Sequence, residues 1–237
     1  MASSGTTTFD LAIDEIVEEA YERCGIQTNS GYNLAKARRS LNVLFSDWGN
    51  RGVHLFKIQL NATALVDSQS QYETASGCND VLEAFISNNA TIVNPASTTT
   101  DISITKIDRS TYAALPNKGA TGTPSQYYVQ RVSKGNTTLP LINLYLTPDA
   151  STYTHLKYFS VQRIEDAGAF TNTADVPFRW LPCMVSGLAF YLSQKYVPER
   201  TQQLKLYYED EIKRALDEDG SRSSTFITPA QYYPTVT

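Results

Sequence analysis

Histidine is nearly absent from this chain: His54 and His155 are the only two in 237 residues. The three cysteines, Cys24, Cys78 and Cys183, stand far apart with no C-x-x-C pair. Without H-x-x-x-H or H-E-x-x-H spacing, or paired thiolates, none of the usual zinc patterns can be written. Each cysteine lies in or beside an apolar run, so the three read as separate small core residues in a reducing compartment. A G-x-S-x-G elbow and a Gly-rich phosphate cradle are also missing, which excludes nucleoside triphosphate hydrolysis. Positive charge is scarce: 20 Lys and Arg against 24 Asp and Glu give a net charge of −4. A clustered positive surface that grips a nucleic-acid backbone is not expected, whereas a neutral or acidic wall that DNA slides past is compatible. No apolar run approaches the ~18 residues of a membrane helix, and no charged start precedes an apolar h-region, so a soluble chain without an export signal is expected.

Two groups of carboxylates remain as catalytic candidates, Glu165 with Asp166, and Glu209 with Asp210 and Glu211. Glycosidic cleavage needs two carboxylates facing one sugar, one of them with a pKa raised by burial. These sit in solvated patterns and read as surface charge. No catalytic residue, metal ligand or cofactor is assigned, and the chain is not expected to be an enzyme.

What is present is a globular composition, 41% hydrophobic and 19% charged, long enough to bury a sizeable core without staples. Tyrosine is in excess, 15 residues against 9 Phe and 2 Trp. Its large apolar ring and polar tip suit half-buried strands and subunit interfaces.

The stretch 176–220 carries the strongest pattern. Pro182 opens a long apolar run in which Val185, Leu188, Ala189 and Leu192 recur at helical spacing, with Met184, Phe190 and Tyr191 widening the face. A short turn over 178–181 leads into that helix. Pro198 stops it, and a second helix restarts with Pro198 in its first turn. Leu204, Tyr208, Ile212 and Ala215 or Leu216 form its narrow apolar seam. The pairs Lys205–Glu209, Glu209–Lys213 and Asp210–Arg214 maintain a solvated face at about 0.2–0.5 kcal/mol each, and Gly220 closes it.

Near the other end, Ile13, Ile16, Val17, Ala20 and Tyr21 keep helical rhythm opposite Asp14, Glu15, Glu18, Glu19 and Glu22, and Gly25 ends the helix. A second helix follows with Leu34, Ala37, Leu41, Leu44, Phe45 and Trp48 inward and Lys36, Arg38 and Arg39 outward. An acidic helix and a basic-fronted one joined by a short loop predict an antiparallel hairpin.

Between the hairpins the period shortens. Runs rich in Tyr, Val, Ile, Leu and Thr over 54–60, 71–74, 81–87, 101–106, 126–132, 139–146 and 153–164 predict strands. The last alternates cleanly enough to be half-exposed. Asp108 is placed to cap a short helix over 108–115, and the loop 117–125, small and polar, is of the kind that meets partners. The fold expected is α+β: a four-helix bundle made of N-terminal and C-terminal helical hairpins (1–52 and 175–220), with an inserted antiparallel β-rich domain (53–174). An extended C-terminal tail (221–237) carries Phe226, Ile227, Tyr232 and Tyr233 as anchors suited to docking on a neighbour.

The combination of V-P-x-x-W-L-P (176–182), the V-P-E-R break (197–200) and L-x-x-Y-Y-E-x-E-x-x-R-A (204–215) resembles head-to-tail adaptor, or connector, proteins of short-tailed bacteriophages, the tail tubular protein A type. The segment A-R-R-S-L-N-x-L-F-x-D-W-x-N-R-G-V (37–53) is similar to the same family. The resemblance implies a structural virion protein at the head-tail junction, assembled in the host cytoplasm. It implies a ring, a dodecamer in such adaptors, that joins the portal protein to the tail nozzle protein. Genomic DNA passes through without sequence-specific binding, and no membrane is involved. Glu15, Glu18 and Glu22 are expected to face Arg38 and Arg39 across subunits, and Phe226, Ile227, Tyr232 and Tyr233 to dock on the portal. The inserted sheet is larger than in the shorter family members. Two other readings stand beside this one: a head-completion stopper or tail terminator of a long-tailed phage, and a carbohydrate-binding or cell-wall-cleaving tail component using tyrosine-rich strands.

Overall fold

The computed structural model describes residues 5–6, 9–26, 31–131 and 139–219. Its helices are α1 (Ile13–Cys24), α2 (Gly31–Asn50), α3 (Arg109–Ala114), α4 (Leu181–Tyr196) and α5 (Thr201–Asp219). Its strands are β1 (Ile58–Ala64), β2 (Gln71–Glu73), β3 (Cys78–Ser87), β4 (Asp101–Ile107), β5 (Gln126–Gln130), β6 (Leu141–Tyr145) and β7 (His155–Gln162). The Phe226, Ile227, Tyr232 and Tyr233 anchors and Gly220 lie outside the described residues.

Helix α4 begins after a 3-10 turn at Phe178–Trp180, with Pro182 in the first turn, where its missing N–H costs nothing. It stops where Pro198 forces Val197 out of helical geometry, to φ −140° and ψ 69°. Leu181, Cys183, Met184, Val185, Leu188, Ala189 and Leu192 are all buried, as are the small Ser186, Gly187 and Ser193 between them. A helix apolar on almost every side has to be covered on every side. Accordingly α1, α2 and α5 all pack on α4. Helix α2 runs antiparallel to it, with Trp48 against Trp180 at one end (ring centroids 5.1 Å apart) and Ser40 bonded to Lys195 at the other. Gly187 sits at the tightest point: a Cβ there would lie 2.9 Å from both Leu44 Cδ1 and Tyr208 Cε2. One residue without a side chain lets three helices meet.

The seven strands form one mixed, curled sheet in the order β1-β7-β3-β4-β5-β6-β2. It has its own core, built from Val81, Ile86, Tyr127, Ile142, Leu144, Leu156 and Tyr158. The buried tyrosine hydroxyls find backbone partners in loops and at the bulge of β3. Tyr127 donates to Leu82 O at 3.1 Å, Tyr158 accepts from Ala75 N at 2.8 Å, and Tyr72 accepts from Val66 N at 3.0 Å. In these three tyrosines the ring fills the core and the hydroxyl meets the backbone.

This architecture overturns the expected four-helix bundle with an inserted antiparallel domain. Helices α1 and α2 touch each other only lightly; both lean mainly on α4, because α4 has the larger apolar surface to cover. Nor is the sheet antiparallel throughout: β4 and β5 are parallel, Thr105 opposite Gln126. A parallel pair needs a crossover, and the 108–125 connection supplies it through α3, whose N-cap Asp108 accepts from Thr111 N at 2.6 Å. Strand β7 is also not half-exposed. It lies between β1 and β3 and is buried along most of its length, including Lys157, which is 2% exposed and reaches Asp101 at 3.5 Å. The loop 117–125 is tied back onto the sheet, with Gly122 N donating to Thr147 O (2.8 Å) and Thr147 N to Ala120 O (3.0 Å).

Candidate assembly site

The inward face of α1 (Ile13, Ile16, Val17, Ala20, Tyr21 and Cys24) is buried. Glu15, Glu18, Glu19 and Glu22 therefore share the outward face, spaced three and four apart. Between that face and the start of α4 lies a groove of about 470 Å³. Its apolar floor is Leu11, Leu181, Pro182 and Val185, and its acidic wall is the four glutamates. Phe9 and Phe178 stand at its rim, 65% and 67% exposed, edge-to-face with centroids 6.2 Å apart. Two large aromatic rings left this open form a surface that water covers poorly.

The acids are not equivalent. Glu15 closes the helix cap, its Oε2 accepting from Ala12 N at 2.9 Å. Glu19 pairs with Arg23 at 2.9 Å, and Arg23 also donates to Ser186 Oγ. Glu18 and Glu22 are exposed, and among the described residues no ion pair engages either.

Arg38 and Arg39 part company. Arg38 turns inward, donating to Gly168 O at 3.1 Å and covering the Phe170 ring at 5.4 Å. Arg39 is exposed. It stands near Lys195, which donates to Ser40 Oγ at 2.6 Å. Partial burial, and then the positive charges of Arg39 and Lys36, hold the Lys195 ammonium below the ordinary lysine pKa. One turn from Arg39, Val43 is 50% exposed, and Tyr191 lies one turn before Lys195. Arg39, Val43 and Tyr191 line a shallow depression of about 470 Å³, whose two carboxylates are each held by an arginine of this chain: Asp47 by Arg51 and Asp166 by Arg163, both at 2.8 Å.

Glu15, Glu18 and Glu22 thus stand together, while Arg38 and Arg39 do not, and neither arginine pairs with the glutamates within the chain. Sequence reasoning missed Phe9, Phe178, Val43 and Lys195. Val43 carried a legible signal, an aliphatic residue on the outward side of α2; Phe178 had only its place in a turn ahead of Pro182.

Of the other candidate carboxylates, Glu165 is exposed, Asp166 is held by Arg163, and the group on α5 is engaged by arginines. Arg51 donates to both oxygens of Glu209, at 3.0 and 3.1 Å, which displaces the Lys205 and Lys213 pairings expected along α5. Arg214 pairs with Asp210 at 2.5 Å and approaches Glu211 at 3.6 Å. Among the described residues no group of three His, Cys, Asp or Glu could hold a metal ion. Burial pushes the Cys183 thiol up to about 12, with the charges of Glu211 and Glu209 adding to it. No helix is long and apolar enough to cross a membrane among the described residues. Comparison with known proteins adds nothing to these observations: no family model and no curated protein matches the sequence.

Proposed function

We propose that this chain is the subunit of a ring-forming adaptor that joins a phage portal to the tail nozzle and surrounds the path of the DNA. The observation that carries the reading is a pair of unlike faces on one helical unit. An acidic, aromatic-rimmed groove lies at the N-terminal end of α4. A basic ridge formed by Arg39 and Lys195 lies toward its C-terminal end. Val185 and Lys195 are ten residues apart, or about 15 Å along the helix. A ring closed by head-to-tail contacts requires two different, mutually complementary patches on every subunit.

The segments that resemble the adaptor family support the same reading, because they build the hub: Trp48 in α2, Trp180 and Leu181 at the start of α4, and Tyr208 in α5 are all buried in one core. The acidic balance, −4 overall, suits a wall past which DNA moves without being held. The role is structural, with no catalytic step. Light scattering on the purified chain, alone and with the portal protein, tests it, followed by end-on electron-microscope views. A ring with a central hole, or a portal-bound ring, is expected. A monomer that ignores the portal refutes the proposal.

A further inference from the structure

Resting on the ring reading, we infer that the groove between α1 and α4 is a socket for a second copy of this chain, met by the ridge at the edge of that shallow depression, where Arg39 and Val43 on α2 stand beside Lys195 on α4. Charge complementarity commits the occupant. The socket offers Glu18 and Glu22, unpaired among the described residues, and the ridge offers Arg39 and Lys195, which meet no carboxylate among those residues. Apolar surface matches as well. Phe9 and Phe178 stand exposed over a floor of Leu181, Pro182 and Val185, and Val43 is an exposed aliphatic side chain on α2 one turn from Arg39. An interface whose apolar centre is ringed by opposite charges gains its area from the centre and its register from the rim.

The geometry also removes one residue from the contact. Arg38 is spent on Gly168 O and the Phe170 ring, so its substitution acts on folding of its own subunit. Because socket and ridge lie at different places on the same subunit, a heterologous contact can pass from each copy to the next, as a closed ring requires.

Charge reversal tests this directly. The socket variant is Glu18→Lys with Glu22→Lys; the ridge variant is Arg39→Glu with Lys195→Glu. Glu18, Glu22, Arg39 and Lys195 all lie at the surface, and the internal bond removed is that of Lys195 to Ser40 Oγ, so the socket variant is expected to keep the wild-type melting profile by circular dichroism and the ridge variant to stay folded with a slightly lower melting temperature. Assembly is read by light scattering at low salt, with portal protein as template. Each variant alone places like charges face to face and is expected to weaken assembly by about tenfold to a hundredfold. Mixing the two restores it, since every socket then meets a ridge of opposite sign, and the mixed rings alternate the two subunits. Placing all four substitutions in one chain also restores it. Phe178→Ser, with charges intact, is expected to weaken assembly without altering the rescue pattern. The inference is overturned if folded single-face variants assemble like the wild type, or if they fail and mixing does not rescue them; wild-type rings would then leave the adaptor reading standing. Wild-type protein that neither rings nor binds portal overturns both.

Discussion

Replacing Tyr208 by phenylalanine removes one oxygen atom from the place where the two ends of the chain are joined. Tyr208 is fully buried, stacked on Phe190 with ring centroids 5.9 Å apart, and its ring would stay in place. Its hydroxyl accepts from Trp48 Nε1 at 3.1 Å and donates to Asp47 Oδ2 at 3.2 Å. Trp48 is also fully buried, so the substitution leaves its indole N–H without a partner, a cost of about 1–3 kcal/mol. The bond to Asp47 contributes less, because that carboxylate keeps Arg51 at 2.8 Å and is 28% exposed. A loss of about 2 kcal/mol is expected, measured by urea unfolding followed by circular dichroism at equal m-value. Trp48→Phe in the Tyr208→Phe background should cost less than it does alone, since the orphaned donor is gone, giving a coupling of about 1 kcal/mol. A Tyr208→Phe variant within about 0.5 kcal/mol of the wild type, or a helical region that unfolds in two separate transitions, would refute the claim that this bond ties α2 to α5 in one cooperative unit.

The close approach at Gly187 predicts that Gly187→Val destabilises by overpacking against Leu44 and Tyr208, by about 1–3 kcal/mol; a thermal melt unchanged from the wild type would contradict it. Burial raises the Tyr127 hydroxyl from its ordinary value of about 10 to about 12, with Glu83 and Asp80 adding to it. Tyr21, Tyr72, Tyr158 and Tyr208 are shifted the same way by burial. Groups whose pKa is raised on folding contribute stability that is complete below the unfolded pKa and lost as pH climbs through the folded one. Stability should therefore fall between about pH 10 and pH 12, and the absorbance change of tyrosinate should coincide with the loss of circular dichroism rather than precede it. All three cysteines are buried with thiol pKa values raised by burial. A thiol reagent should thus label none of them in the native protein at pH 8 and all three after denaturation; a thiol that reacts rapidly in the native protein speaks against that burial. Asp108→Ala should speed exchange of the Thr111 amide, which the Asp108 carboxylate now accepts from, and equal exchange in both proteins would remove the cap from the account of α3.

Local signals in the sequence carried the helices well and their assembly poorly. The seam of Leu204, Tyr208, Ile212 and Ala215 is buried as its spacing required, and Pro182 and Pro198 bound α4 as their chemistry required. These features depend on residues within a turn or two of one another. Who packs on whom depends on surface area matched at long range. The breadth of the apolar face on α4 was legible, but its consequence, a hub instead of one edge of a square bundle, was not drawn from it. The parallel β4–β5 pair was hidden for a similar reason, since alternation along a strand is blind to the direction of its neighbour. Lys157 illustrates the limit: the alternation of its strand was read as half-exposed, yet strands on both sides and the curl of the sheet bury this lysine. At the candidate site, the glutamate face of α1 was readable from periodicity, whereas the split between Arg38 and Arg39 was not. Adjacent residues on a helix point about 100° apart, and only the approach of Gly168 and Phe170 decides which of the two is consumed.

The hub arrangement has an electrostatic consequence that a tight hairpin would not have. Were α1 and α2 packed along their length, Glu18 and Glu22 could reach the arginines of the neighbouring helix, and the opposite charges would neutralise one another within a subunit. With α4 as the principal support of both helices, the acidic face opens toward the start of α4 and the basic ridge toward its end. Intramolecular pairing is then disfavoured by geometry, which keeps each charge cluster available for the intersubunit contact proposed above. Exposed pairs of this kind add little stability to a folded chain, about 0–1 kcal/mol, so their separation costs the subunit almost nothing. Across an interface the same charges set which surfaces meet and in what register. An all-round apolar α4 thereby does two things at once: it holds the ends of the chain in one core, and it keeps two complementary surfaces apart on a single subunit.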